Sequence, residues 1–230
     1  MKRTVLNRYE TLVWQNSEYD LRQMNRDEQF NTLTHLIGAA LAFCGAVILV
    51  VFASLEGDPW KIISFSIYGA CLFTLYFIST MYHALHGKMK RIFMILDHQA
   101  IYLLIAGSYT PFTLVTLRGV WGWSLFGIIW GIAILGFVID VLPHIIKGKR
   151  IIPVIIYILM GWLVLIALGP MLRELPQDGF FWLLVGGLLY TGGVVFYFLS
   201  SKFVYAHGIW HLFVLAGSAS HYTAIFFYVL

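Results

Sequence analysis

Residues 31–54 read NTLTHLIGAALAFCGAVILVVFAS, a stretch without Asp, Glu, Lys or Arg. A helix needs about 20 mainly apolar residues to cross the hydrocarbon core of a bilayer. Six further apolar stretches of similar length follow, at about 61–86, 92–116, 120–141, 152–172, 179–200 and 205–229. The sequence therefore predicts an all-α, polytopic membrane protein built as a bundle of seven transmembrane helices.

The composition leaves little chain for a soluble domain. Of the 230 residues, 60% are hydrophobic and only 11% are charged, whereas a soluble domain averages about 25% charged residues. We expect two parts: a cytoplasmic N-terminal arm over 1–30 and a transmembrane domain over 31–230. The arm can form a helix lying on the membrane surface, or it can be a solvated arm. The net charge of +4 reflects loops that face a membrane surface, and we infer no nucleic-acid binding from it.

The basic residues predict how the bundle is oriented. Twelve of the 15 Lys and Arg residues lie in the N-terminal segment and in the connectors after the second, fourth and sixth spans. The opposite connectors hold only Lys61, Arg118 and Arg173. Because cytoplasmic loops carry an excess of Lys and Arg, we expect a cytoplasmic N-terminus, an external C-terminus and a multi-pass position in the plasma or bacterial inner membrane.

Five polar side chains fall at a similar depth in this arrangement. His207 and His211 lie one helical turn apart at the start of the seventh span, and His83 closes the second span with Ser79 one turn before it. Asp97 lies near the start of the third span. All five are expected near the cytoplasmic leaflet, and ionisable groups are rare in hydrocarbon unless they have a function.

The residue types favour a metal site. Three neutral imidazoles with one open position are typical of catalytic zinc, so we predict Zn²⁺ bound by His83, His207 and His211. The open position would hold a water whose pKa the metal lowers towards about 7. Asp97 is placed to accept a proton from that water, and Ser79 to orient it or to donate to a developing oxyanion.

Simpler roles for these residues stay open. Asp97 can form a salt bridge with Lys90 or Arg91 near the interface, and Ser79 can bond a backbone carbonyl. His35 begins the first span on the same leaflet, where a structural role is favoured over metal ligation. Four residues are candidates for lining a substrate cavity or supporting the ligands: His35, Tyr109, Ser218 and His221.

Five short segments carry a resemblance to a known family. They are the segment Glu28–His35, the run Ser79–His83, the triplet Leu96-Asp97-His98, the run Gly107–Pro111 and the run His207–His211. In these segments the chain resembles the bacterial hemolysin III family, within the progestin and adipoQ receptor (PAQR) superfamily that includes the adiponectin receptors.

The resemblance implies a seven-helix bundle with a cytoplasmic N-terminus and a zinc ion near the inner leaflet. It places His83, His207 and His211 as the ligands, with Asp97 and Ser79 beside the metal-bound water. The wider group is similar to alkaline ceramidases, which implies hydrolysis of a lipid amide.

Three functions remain open at this point. The first is a zinc-dependent hydrolase acting on a ceramide-like or other acyl lipid of the bilayer, and so linked to membrane-lipid homeostasis. The second is a pore-forming cytolysin or channel, for which the seventh span offers a polar stripe of His207, His211, Ser218 and His221. The third is a lipid-sensing, receptor-like regulator in which zinc is structural.

Overall fold

The computed structural model describes the backbone of residues 2–141 and 151–230, and the side chains of residues 26–139 and 151–230. Every regular element in these ranges is helical, which confirms the predicted all-α class. The elements are α1 (Lys2–Glu56), α2 (Pro59–Ala84), α3 (Gly87–Pro111) with a π-helical turn (Phe112–Thr116), α4 (Val120–Val141), α5 (Ile151–Gly161), a 3₁₀ turn (Leu163–Ala167), α6 (Leu168–Glu174), α7 (Gln177–Leu199) and α8 (Ala206–Tyr228).

Within the described residues, six segments are long and apolar enough to cross a membrane. They are Arg26–Glu56, Pro59–Ala84, Gly87–Thr116, Val120–Ile139, Ile151–Glu174 and Gln177–Leu199. α8 has 23 residues, enough to cross about 30 Å of hydrocarbon, although its three histidines make it less apolar. The chain is therefore a multi-pass membrane protein. The sidedness of its termini and the surface position of the arm over 1–30 stay predictions.

The helices form a ring in which α1 packs between α2 and α8. Around the ring, α3, α4 and α5 follow α2, while α7 packs against α8. Because successive crossings alternate in direction, the end of α2 meets the beginnings of α3 and α8 at one end of the bundle. The candidate site residues come from these helix ends.

Close helix contacts depend on glycines that face a neighbouring helix. A Cβ at Gly69 of α2 would lie 2.4 Å from the Cβ of Ala46 in α1. A Cβ at Gly208 of α8 would lie 2.2 Å from the Phe30 ring of α1. Small residues allow membrane helices to approach closely, and at these two positions they hold α1 against both α2 and α8.

The fifth crossing is interrupted between α5 and α6. Pro170 has no N–H to bond the carbonyl of Ile166, so a regular α-helix through this point would lose one hydrogen bond. Pro170 lies in the first turn of α6, where a missing donor is tolerated. The Tyr109 hydroxyl of α3 donates to the Gly161 carbonyl and accepts the Val164 N–H, both at 2.9 Å. A neighbouring helix thus satisfies backbone groups freed by the break.

Candidate metal centre

Three histidines from two helices meet at one end of the bundle. His83 lies in the last turn of α2, and His207 and His211 lie in the first two turns of α8. Their ring centroids are 5.1 Å (His83–His207), 5.0 Å (His83–His211) and 4.7 Å (His207–His211) apart. His83 is 5% exposed, His211 is 0% exposed and His207 is half-buried, so the cluster is open to its surroundings only on the His207 side.

The ring nitrogens of this cluster suit a metal ion. The Nε2 atom of each histidine is buried without a hydrogen-bond partner among the described residues, an arrangement that is costly unless something binds there. One ring nitrogen from each lies within 4.8 Å of the others. A shared zinc at 2.0–2.1 Å needs nitrogens about 3.3 Å apart, a difference that small side-chain rotations close. The three histidines can therefore bind a metal.

The two residues predicted to act beside the metal are both buried. Ser79 is one turn before His83 and 1% exposed, and its Oγ has no hydrogen-bond partner in the described part of the chain. The simpler role considered for Ser79, a hydrogen bond to a backbone carbonyl, is therefore not observed among the described residues. Asp97 of α3 is buried and lies in the wall of an internal cavity. Their catalytic roles stay predictions.

A fourth imidazole stacks on the cluster from α1. The His35 ring lies 3.6 Å from the His211 ring, with 17° between the planes, and packs edge-on against the Tyr76 ring at 5.1 Å. Among the described residues, the group able to share an ion consists of His83, His207 and His211, without His35.

An apolar cavity of about 140 Å³ lies next to the cluster. At the metal end its wall includes His35, Asp97 and Trp210, and the Trp210 ring packs against the His207 ring at 5.0 Å. Further along, the wall includes Tyr109 and His221. From Asp97 to Tyr109 the cavity follows α3 for about 18 Å at 1.5 Å per residue.

A second cavity of about 60 Å³ continues from the first, and Tyr109 and His221 line both. His221 Nε2 lies 3.2 Å from the Leu183 carbonyl. Ser218, another residue predicted to line the cavity, instead joins two tyrosines: its Oγ lies 2.7 Å from the Tyr76 hydroxyl and 2.8 Å from the Tyr190 hydroxyl. It links α2, α7 and α8 in the bundle.

Two contacts to the cluster come from α1 residues to which the sequence analysis gave no role. Glu28 Oε2 lies 2.7 Å from His83 Nδ1, and Thr34 Oγ1 lies 3.3 Å from His211 Nδ1. Lys90 Nζ, which the sequence offered as a partner for Asp97, lies 3.0 Å from Glu28 Oε1. Spacing was an available signal for Glu28, which lies seven residues, or about two helical turns, before His35 and so on the same helix face. Spacing gives no such signal for Thr34, which lies six residues after Glu28.

Comparisons of the sequence with known proteins identify its family. The family model described as "Haemolysin-III related" matches residues 23–222. Hemolysin-3 of Bacillus cereus is 45% identical over 91% of this chain and 95% of its own length. The Hemolysin-3 homolog of Bacillus subtilis (strain 168) is 41% identical over 88% of this chain and 94% of its own.

A human protein is also similar. The monocyte to macrophage differentiation factor of Homo sapiens is 31% identical over 86% of this chain and 83% of its own length. This relative is consistent with a place in the wider PAQR superfamily. Since the family model covers most of the chain and the bacterial relatives align over nearly their whole length, the protein belongs to the haemolysin III family.

Proposed function

We propose that this protein is a zinc-dependent hydrolase that cleaves an amide or ester of a membrane lipid and so contributes to membrane-lipid homeostasis. The observation that carries the proposal is a group of three buried imidazole nitrogens, without hydrogen-bond partners in the described part of the chain, beside an apolar cavity inside a membrane bundle. A metal centre and a cavity of this character together suit an amphiphile with a hydrolysable carbonyl and a long apolar tail.

His83, His207 and His211 would hold the ion. Imidazole suits zinc, copper, iron and nickel, and three neutral nitrogen ligands with an open position favour zinc. When bound, Zn²⁺ supplies a Lewis acid that polarises a carbonyl and lowers the pKa of water towards about 7.

The chain's own polar groups would handle the proton and the developing charge. Asp97 is a carboxylate in the cavity wall, suited to accept a proton from the attacking water and to return it to the leaving amine or alcohol. Ser79 Oγ–H is buried and free of other partners among the described residues, so it is available to donate a hydrogen bond to the carbonyl oxygen as negative charge develops there.

The cavity would hold the acyl chain of the substrate. Its wall is largely apolar along α3, α5 and α7, with Ile101, Val154 and Val194 among the side chains. A tail in this space excludes water from the reacting carbonyl. We expect the lipid to enter from the bilayer between helices, with a ceramide-like or other acyl lipid as substrate.

Purified protein in detergent, loaded with Zn²⁺, tests the proposal against a panel of ceramide-like amides and acyl esters. We expect release of free fatty acid from at least one of them. Asp97→Asn should lower the rate at least a hundredfold with the metal retained, and His207→Ala should abolish both activity and metal binding. Ser64→Ala, which alters a buried hydroxyl elsewhere on α2, is the matched control. No product across the panel at any pH between 5 and 9 would rule out the hydrolase.

The other two functions have less support. A pore needs polar groups free to line a channel, whereas Ser218 bonds Tyr76 and Tyr190, and His221 lies within bonding distance of Leu183. A receptor-like regulator with structural zinc predicts loss of thermal stability on chelation and no lipid product, so the same assay separates it from the hydrolase.

A further inference from the structure

Two of the three candidate ligands contact side chains of α1 through their Nδ1 atoms, although α1 contributes no ligand of its own. Glu28 Oε2 lies 2.7 Å from His83 Nδ1, and Thr34 Oγ1 lies 3.3 Å from His211 Nδ1. Glu28 and Thr34 are six residues apart on α1, whereas His83 is on α2 and His211 on α8. One helix therefore contacts ligands from both of the helices that form the cluster.

The hydrogen-bond directions fix the form of each imidazole. The Thr34 hydroxyl donates to the Asn31 carbonyl at 2.9 Å, so towards His211 it offers a lone pair and accepts the Nδ1–H. An ionised Glu28 carboxylate has no proton to donate, so it likewise accepts the Nδ1–H of His83. In both rings the proton is on Nδ1, which leaves the lone pair on Nε2, the buried atom without a partner in the described residues. This is the tautomer that binds a metal.

Glu28 is itself held in place from a third helix. Lys90 of α3 donates to Glu28 Oε1 at 3.0 Å and to the Tyr82 carbonyl at 3.2 Å. The carboxylate is thus fixed between α2 and α3 while its second oxygen faces His83. A divalent ion bound by three neutral imidazoles would keep its full positive charge, and a carboxylate on the far side of a ligand would partly offset that charge.

We propose that Glu28 and Thr34 are positioning residues that set the metal affinity of the centre by orienting His83 and His211. The inference deepens the metal-binding part of the proposed function and does not depend on hydrolysis. Outer partners of metal-binding histidines typically change metal affinity by about 10- to 100-fold when they are removed. That range is the effect expected for Glu28→Ala and for Thr34→Val.

The chain offers a matched control for each change. Thr32 lies on the same part of α1 and its hydroxyl bonds only the Glu28 backbone carbonyl of its own helix among the described contacts, so Thr32→Val controls for loss of a hydroxyl. Glu56 pairs with Lys61 at the opposite end of α1, so Glu56→Gln controls for loss of a charge. Thr34→Ser keeps the hydroxyl and should keep wild-type affinity.

The test titrates Zn²⁺ into the metal-free, full-length protein in detergent against a chromophoric chelator of known affinity. Glu28→Ala and Thr34→Val should each weaken binding by about 10-fold or more, while Thr32→Val, Glu56→Gln and Thr34→Ser stay within twofold of wild type. Co²⁺ loaded into the same proteins gives a second readout, because its visible absorption bands report ligand geometry. The bands should shift in Glu28→Ala and Thr34→Val and not in the controls.

The outcomes separate this inference from the proposed function. If wild type binds Zn²⁺ tightly and both α1 variants match it in affinity and Co²⁺ spectrum, the positioning role is wrong and the metal centre stands. If the wild-type protein binds no Zn²⁺, both the positioning role and the proposed function fail. Wild-type affinity in Thr34→Ser together with weaker binding in a folded Thr34→Val assigns the loss to the hydroxyl of Thr34.

Discussion

His35 lies stacked on His211, with ring centroids 3.6 Å apart and 17° between the ring planes. Both ring nitrogens of His35 are buried and have no hydrogen-bond partner in the part of the chain that the structure describes. The contact is therefore made by the ring face, not by a nitrogen atom. An imidazole in this position limits how far the His211 ring can turn.

This stacking predicts that His35 supports the centre without binding the ion. His35→Phe keeps an aromatic ring against both His211 and Tyr76 while removing both nitrogens, so Zn²⁺ affinity measured by chelator competition should stay within about threefold of wild type. His35→Ala should weaken binding more, because the ring face is lost. A folded His35→Phe protein that no longer binds zinc would instead make His35 a ligand.

Ser79 should affect turnover and leave metal binding unchanged. Removing one donor that stabilises an oxyanion lowers kcat by about 10²–10³, and Ser79→Ala is expected in that range when fatty-acid release is measured. Ser64→Ala removes a buried hydroxyl that bonds the Lys61 carbonyl on the same helix and should have little effect. Equal rates for wild type and Ser79→Ala would remove Ser79 from the mechanism.

Gly208 holds α8 close to α1 between two candidate ligands. A Cβ here would lie 2.2 Å from Phe30 and 3.0 Å from Asn31 Oδ1, and overpacking of this kind costs about 1–3 kcal/mol. Gly208→Ala should lower both the melting temperature and zinc affinity, because α1 moves away from His211. Gly187→Ala is the control, since its Cβ would meet no atom within 4 Å. Similar behaviour of the two variants would show that the close approach of α1 and α8 is unimportant.

Tyr109 should stabilise the fold at the point where the fifth crossing is interrupted. Tyr109→Phe leaves the Gly161 carbonyl and the Val164 N–H without this partner, and an unsatisfied backbone group is costly within a membrane because no water replaces the lost bond. We expect a lower melting temperature by fluorescence-detected unfolding. Tyr222→Phe removes one hydroxyl bond, to the Gly45 carbonyl, and should have a smaller effect. A larger loss in Tyr222→Phe would contradict the bridging role.

The positions of the membrane-spanning helices could be predicted wherever an apolar stretch ends at polar or turn residues. The expected span over 120–141 coincides with α4 (Val120–Val141), because turn residues precede it and apolar residues fill it. The break in the fifth crossing was not predicted, since residues 151–168 are continuously apolar. That break depends on Pro170 and on a hydroxyl from another helix, and a contact between distant parts of the chain leaves no mark on local hydropathy.

The candidate site was predictable because polar side chains are conspicuous in hydrocarbon. His83, His207 and His211 were predicted from their residue type, their spacing and their expected depth, and the structure brings them together. Glu28 and Thr34 were missed for opposite reasons. Glu28 precedes the predicted span, in a region where charged residues are common. Thr34 lies inside the span, where a threonine usually bonds the backbone of its own helix. Only the position of α1 between α2 and α8 gives them a role.

Metal content measured on the purified protein tests the central claim most directly. Wild-type protein, isolated without added chelator and analysed by elemental mass spectrometry, should contain one zinc ion per chain. The variants His83→Ala, His207→Ala and His211→Ala should each contain almost none, while Thr32→Val retains it. A wild-type protein that carries no stoichiometric metal after zinc loading, or a His211→Ala variant that carries as much as wild type, would contradict a metal centre at these three histidines.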